Sequence, residues 1–278
     1  MNTAAKNRPT SRPRLRRAVV AVMAASALLL TACGSGGEES DAGATSLTKI
    51  EEDGVITVGT EGTYRPFTFH ESGSGELTGY DVEVMRAVGE ELGVEVEFEE
   101  TQWDAIFAGL DAGRFDAIAN QVSITPEREK DYSFSQPYTI STGVVVTKKG
   151  DDSISSFDDL EGKTTAQSLT SNWYELAKES GADVQNIEGW AQAVELLKQE
   201  RVDATINDKL TFLDWQQTEG DTSLEIAAET DEESQSAIAF RKGSDDLVAA
   251  VDKALEKLRK DGTLATLSEK YFGEDVSG

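Results

Sequence analysis

Arg128 falls three residues after Thr125, and Thr125-Pro126-Glu127-Arg128 reads as a helix start with Thr125 as cap, Pro126 at the first position and Arg128 on the first turn. Backbone amides and a guanidinium facing one way suit a carboxylate, because the planar fork of arginine meets two oxygens at once and the helix terminus adds a favourable field. Taken alone, such an arginine is more often a surface residue or a structural ion-pair partner. Asp208 offers a charge for an ammonium group, although its position favours a cap for a helix starting near Lys209. Tyr64 and Trp103 present aromatic faces to a cation or an apolar side chain, and Trp103 fits a core position as well. His70, the only histidine, follows Thr68-Phe69 at a strand end and reads as a surface residue. No Cys/His cluster has metal-ligand spacing and no glycine-rich phosphate loop is present, so neither metal nor cofactor is expected.

The elements that must position these residues are announced by an internal repeat. Residues 103–121 (WDAIFAGLDAGRFDAIANQ) align without gaps to 190–208 (WAQAVELLKQERVDATIND), with Trp103, Leu110, Arg114, Asp116, Ala117 and Asn120 matching Trp190, Leu197, Arg201, Asp203, Ala204 and Asn207. Each copy reads as a helix with one apolar face, a turn and a short buried strand. In open α/β sheets ligands sit beyond the carboxyl ends of the strands, which puts Asn120-Gln121 and Asn207-Asp208 at a shared cleft. Trp190 is read as a core anchor. Val55 to Val58, the alternation Val94, Val96, Phe98, and Thr142 to Thr147 read as strands. Between the first two, Asp81 can cap a helix whose Val84, Val88 and Leu92 share one face. Strands alternating with helices predict α/β units with largely parallel pairing. Leu247, Val251, Leu255 and Leu258, followed by a second helix with Leu264, Leu267 and Tyr271, predict a helical C-terminus packed onto an existing lobe.

The first 32 residues read as a signal peptide. Arg12, Arg14, Arg16 and Arg17 precede an apolar run, Ala18 to Leu30, too short to span a bilayer. The run ends in Leu30-Thr31-Ala32-Cys33, which resembles a lipoprotein cleavage site with Cys33 as the lipidated residue, and a Gly/Ser/Asp/Glu tether follows over 33–46. Loss of the segment's basic residues leaves a chain more acidic than the formal −26 of the whole, which repels nucleic acid and anionic headgroups. With Cys33 taken by lipid, no disulfide is available.

The chain resembles the polar amino-acid substrate-binding proteins of ABC importers. The stretches that carry the likeness are Gly59 to Phe67 (GTEGTYRPF), Gly79 to Val84 (GYDVEV), Arg114 to Arg128 (RFDAIANQVSITPER), Tyr132 to Tyr138 (YSFSQPY), Asp203 to Asp208 and Arg241-Lys242-Gly243-Ser244. The resemblance implies an α/β clamshell of the periplasmic binding protein type 2 kind, each lobe a central mixed sheet flanked by helices, with a two-segment hinge near residues 140 and 238. Lobe 1 would be 47–140 with 238–278, and lobe 2 would be 141–237. It implies Arg128, Ser123 and backbone near Gln121 for a ligand carboxylate, Asp208 for its ammonium, Tyr64 and Trp103 as aromatic walls, and Gln167, Thr170 and Ser171 as contacts from the second lobe. Asn120 and Asn207, at the strand ends, complete the expected set with Glu61.

Asn120-Gln121-Val122-Ser123, Ser168-Leu169-Thr170-Ser171-Asn172 and Lys260-Asp261-Gly262-Thr263-Leu264 resemble the cystine-binding branch. Glutamine or another neutral polar amino acid ranks next. A cyclohexadienyl dehydratase on the same fold is the rival class, with Glu61 as its carboxyl, and a ligand sensor is a third. The partners implied are an amino acid, an importer permease and, through the lipid, the outer face of the cell membrane, with the protein a monomer and no nucleic acid bound.

Overall fold

The computed structural model describes residues 45–73 and 75–278; the signal segment, Cys33 and nearly all of the expected tether lie outside the described residues. The helices are α1 (Leu47–Asp53), α2 (Tyr80–Leu92), α3 (Trp103–Asp111), α4 (Arg128–Asp131), α5 (Asn172–Glu179), α6 (Trp190–Lys198), α7 (Lys209–Glu219), α8 (Asp245–Lys260) and α9 (Thr263–Phe272). The strands are β1 (Val55–Thr60), β2 (Thr63–Tyr64), β3 (Thr68–His70), β4 (Leu77–Thr78), β5 (Glu95–Glu100), β6 (Ala117–Ser123), β7 (Tyr132–Phe134), β8 (Thr139–Lys148), β9 (Thr164–Gln167), β10 (Asp183–Asn186), β11 (Ala204–Asp208) and β12 (Leu224–Arg241).

Nine strands form one sheet in the order β10-β9-β11-β8-β12-β6-β1-β5, with β7 paired to β12, and β2-β3-β4 make a small second sheet. The order is nearly palindromic. At one end β1 pairs in parallel with β5 and β6; at the other β9 pairs in parallel with β10 and β11. The repeat accounts for this, since its copies are α3–β6 and α6–β11. The pairing is mixed rather than largely parallel, because β8 and β12 join the two ends through antiparallel ladders with each other and with β11 and β6. β12 turns from β8 to β6 near Ser236, which faces both Thr139 and Ser123, and its register shifts between Glu229 and Glu233.

Each half has its own core. Ile56, Val58, Tyr80, Val84, Met85 and Val88 pack against Leu247, Val251, Leu255 and Leu258 of α8 in one, so the helical C-terminus docks as expected. Val144, Val146, Val194, Leu196, Leu197 and Phe212 form the other.

Two local expectations are corrected. Asp81 does not cap α2: Gly79 is the cap residue, with a backbone (φ 127°) at which an added Cβ would lie 2.2 Å from the Phe67 carbonyl oxygen. Asp81 is instead fully buried and accepts from the backbone N–H and the side-chain amide of Gln121, at 2.6 and 2.7 Å. The helix after Thr125 is a single turn beginning at Arg128, although Thr125 Oγ1 does accept from the Arg128 N–H at 3.2 Å. One turn adds little helix field.

Candidate functional site

Where β1, β6, β9 and β11 end, the two halves face each other across a cavity of about 250 Å³. Of the residues expected at a ligand site, Glu61, Tyr64, Trp103, Gln121, Gln167, Ser171 and Asn207 line it. Buried polar groups are normally hydrogen-bonded. Here Trp103 Nε1, Gln121 Oε1, Gln167 Nε2 and Trp190 Nε1 are buried without a partner among the described residues, and all four residues line the cavity.

Asn120, Ser123, Arg128, Thr170 and Asp208 are not part of the lining. Asn120 is fully buried and positions Glu61, accepting from its backbone N–H at 2.8 Å and donating to its carboxylate at 2.6 Å. Gln121 has a left-handed backbone (φ 50°), uncommon for a side chain of this kind, and its two bonds to Asp81 hold it there. Arg128 donates to the Ser123 carbonyl at 2.9 Å and the Thr170 carbonyl at 3.2 Å, and its guanidinium lies 5.3 Å from the ring centres of both Trp103 and Phe107. Asp208 caps α7, as the sequence favoured: its Oδ1 accepts from the Leu210 N–H and the Ser141 hydroxyl, both at 2.8 Å. Both bonds use one oxygen.

Burial dominates the electrostatics. It pushes Glu61 up to about 7 against the opposing bonds from the Asn120 side chain and the Trp103 backbone, and Asp208 up to about 6 against Ser141 and Leu210. The Arg128 guanidinium, drawn down to about 10 by burial, stays cationic at neutral pH. Among the described residues no group of three or more His, Cys, Asp or Glu side chains is placed to hold a metal ion. His70 pairs with Glu100 at 3.0 Å away from this wall.

Polar bonds join the two halves. Tyr64 donates to Asn207 Oδ1 at 2.9 Å and accepts from the Thr211 hydroxyl at 3.0 Å. Thr170 donates its backbone N–H and hydroxyl to Asp104, at 3.1 and 3.0 Å, and Arg65 pairs with Asp214 at 3.5 Å.

Sequence reasoning missed Trp190, read as a core anchor. Its ring does pack edge-on against Trp215, 6.1 Å between centres, but its indole N–H stays unpaired and the residue lines the cavity. Alignment with Trp103 in the repeat was the signal that could have found it. Trp173, Thr205 and Glu188 were missed as well.

The model of the bacterial extracellular solute-binding proteins, family 3, matches residues 56–274. The L-cystine-binding protein TcyA of Bacillus subtilis (strain 168) is 48% identical over 268 residues, covering 95% of this chain and 100% of its own. The L-cystine solute receptor of Neisseria gonorrhoeae, solved in an unliganded open conformation, is 47% identical, covers 84% of this chain and 100% of its own, and superposes with a TM-score of 0.58. An ancestral arginine-binding protein bound to glutamine is 37% identical over 80% of this chain and 99% of its own, yet superposes better, at 0.75. The bonds between the halves accord with that order, since they hold the two together. The fold is the two-lobed clamshell of the type 2 periplasmic binding proteins, and the chain belongs to family 3 of the bacterial extracellular solute-binding proteins.

Proposed function

We propose that this protein captures a polar amino acid, L-cystine first among them, between its two lobes outside the cytoplasm and delivers it to an ABC importer. The observation that carries the reading is the convergence of four buried, unpartnered polar atoms on one cavity. Such groups cost about 1–3 kcal/mol each when left unpaired, and a polar ligand that pairs them recovers that cost. L-cystine is preferred over glutamine because relatives named for L-cystine match nearly the whole chain.

In this reading β8 and β12 are the hinge, residues 47–140 with 238–278 form one lobe, and 141–237 form the other. The α-carboxylate of the ligand goes to Arg128, with Ser123 and Thr170 beside it, and its ammonium to Asp208, whose second oxygen is not used by Ser141 or Leu210. Tyr64 and Trp103 flank the ligand. Cys33 carries lipid and holds the protein at the outer face of the membrane, where it works as a monomer. The test is calorimetric titration of protein unfolded, stripped of ligand and refolded: L-cystine should bind with one site per chain.

One observation favours a second reading. Glu61, at about 7 inside a cavity, is suited to proton transfer, as a dehydratase would need. Its carboxylate is already engaged by Asn120, which supports the binding role instead. Turnover of prephenate by the purified protein would reverse that order.

A further inference from the structure

The two ends of the sheet match element for element, but not in what meets the helix start. In the first half the chain leaves β1 through Glu61, a carboxylate that lines the cavity together with Trp103 at the start of α3. The corresponding strand of the second half is β9, which ends in Gln167, a neutral carboxamide. The helix facing it, α6, begins after Gly189, which has no side chain to cap it; the Gln192 N–H turns back to the Gly189 carbonyl at 3.1 Å, which leaves the Trp190 and Ala191 amides without a partner among the described residues. Gly189, Trp190 and Ala191 line the cavity. Two further donors stand beside them without partners among the described residues: Nε2 of Gln167, a residue only 3% exposed, and Nε1 of Trp190. The first half supplies its own carboxylate at this place; the second has a neutral carboxamide there instead. Backbone amides at a helix start joined by two buried N–H groups make a site for an anion. Glu188, on the same wall, adds one acidic group beside it.

We propose that the start of α6, with Gln167 and Trp190, is a second carboxylate subsite that takes the far head group of an amino-acid disulfide, with Glu188 meeting that group's ammonium. This rests on the cystine reading above and deepens it: the ligand is a double amino acid, bound at both ends.

The test is calorimetry of the ligand-stripped protein with four probes: L-cystine, the cysteine–cysteamine disulfide lacking the far carboxylate, the cysteine–3-mercaptopropionate disulfide lacking the far ammonium, and L-glutamate. Removing the far carboxylate should weaken binding about 10–100-fold, the worth of a charge-assisted set of hydrogen bonds. Removing the far ammonium should cost less, about 3–10-fold, because Glu188 is exposed. L-glutamate, whose side chain is too short to span both head-group sites, should bind more weakly than L-cystine. Trp190→Phe keeps the ring on Trp215 and removes the N–H; it should weaken L-cystine about 3–10-fold and leave the cysteine–cysteamine disulfide unchanged. Gln167→Met should show the same selectivity. Equal binding of L-cystine and the cysteine–cysteamine disulfide, or equal weakening of both by Trp190→Phe, overturns the subsite while leaving the cystine reading in place. Failure of L-cystine to bind at all removes both.

Discussion

Tyr64 and Asn207, 143 residues apart in sequence, share a hydrogen bond of 2.9 Å that joins β2 to the end of β11 across the cavity. The same phenol accepts from Thr211, so one oxygen ties the first half to both a strand end and the helix that follows it. Tyr64→Phe keeps the ring contact with Phe67, 5.1 Å between centres, and deletes only these bonds. Ligand affinity should fall about 3–10-fold with the melting temperature of the free protein nearly unchanged, as read by calorimetry and thermal unfolding. Unchanged affinity would show that the bond takes no part in closure.

Arg128 bridges the Ser123 and Thr170 carbonyls while lying against Trp103 and Phe107. Arg128→Lys keeps the charge but cannot span two acceptors in a plane. Amino-acid affinity should drop about 10–100-fold, and Arg128→Ala should lose more, with the circular dichroism spectrum of both variants unchanged. Wild-type affinity in Arg128→Lys would remove Arg128 from the carboxylate pole.

Three carboxyls, Asp81 and Asp208 buried and Glu61 half-buried on the cavity wall, set the pH dependence of the unliganded protein. Burial raises Glu61 and Asp81 to about 7 and Asp208 to about 6, so between about pH 4 and 7 the folded chain retains protons the unfolded chain has released. Their contribution to stability is full below the unfolded values and is lost as pH rises through 6 to 7. The melting temperature should therefore fall from about pH 5 to pH 8. Glu61→Gln, which still offers Asn120 an acceptor, should raise the melting temperature at pH 8 and leave it unchanged at pH 4. A variant with no gain at pH 8 would contradict the sign of the Glu61 shift.

How much of this was legible in the sequence follows from where the signals are local. The strand at 55–60, the helix at 80–92 and the C-terminal helices came through because their apolar spacing matches the faces they bury. The repeat disclosed the pairing of α3–β6 with α6–β11, and with it the position of the candidate site. The inward turn of Asp81 was not legible: an acid near a helix start reads as a cap, and only the left-handed Gln121, 40 residues on, reveals its partner. Trp190 packs on the core as expected, but its place on the cavity was missed because an apolar ring at a helix start looks the same whether its N–H meets the core or a cavity. The 18 residues of β12 escaped notice because Glu229 to Ser236 is polar and mostly exposed where the strand passes from β8 to β6.

Cys33→Ser should release the protein from the membrane fraction into the medium, because a single thiol carries the proposed anchor. Fractionation that finds the variant still retained would contradict lipidation at this residue.

The most direct measurement is thermal unfolding of refolded, ligand-stripped protein against each common amino acid and L-cystine. A ligand at about 100 times its dissociation constant stabilises the native state by about 2.7 kcal/mol, which in a chain of this size is a rise of roughly 5–10 °C. The largest rise should come from L-cystine. A larger rise with glutamine would contradict the cystine assignment, and no rise with any amino acid would contradict the account as a whole.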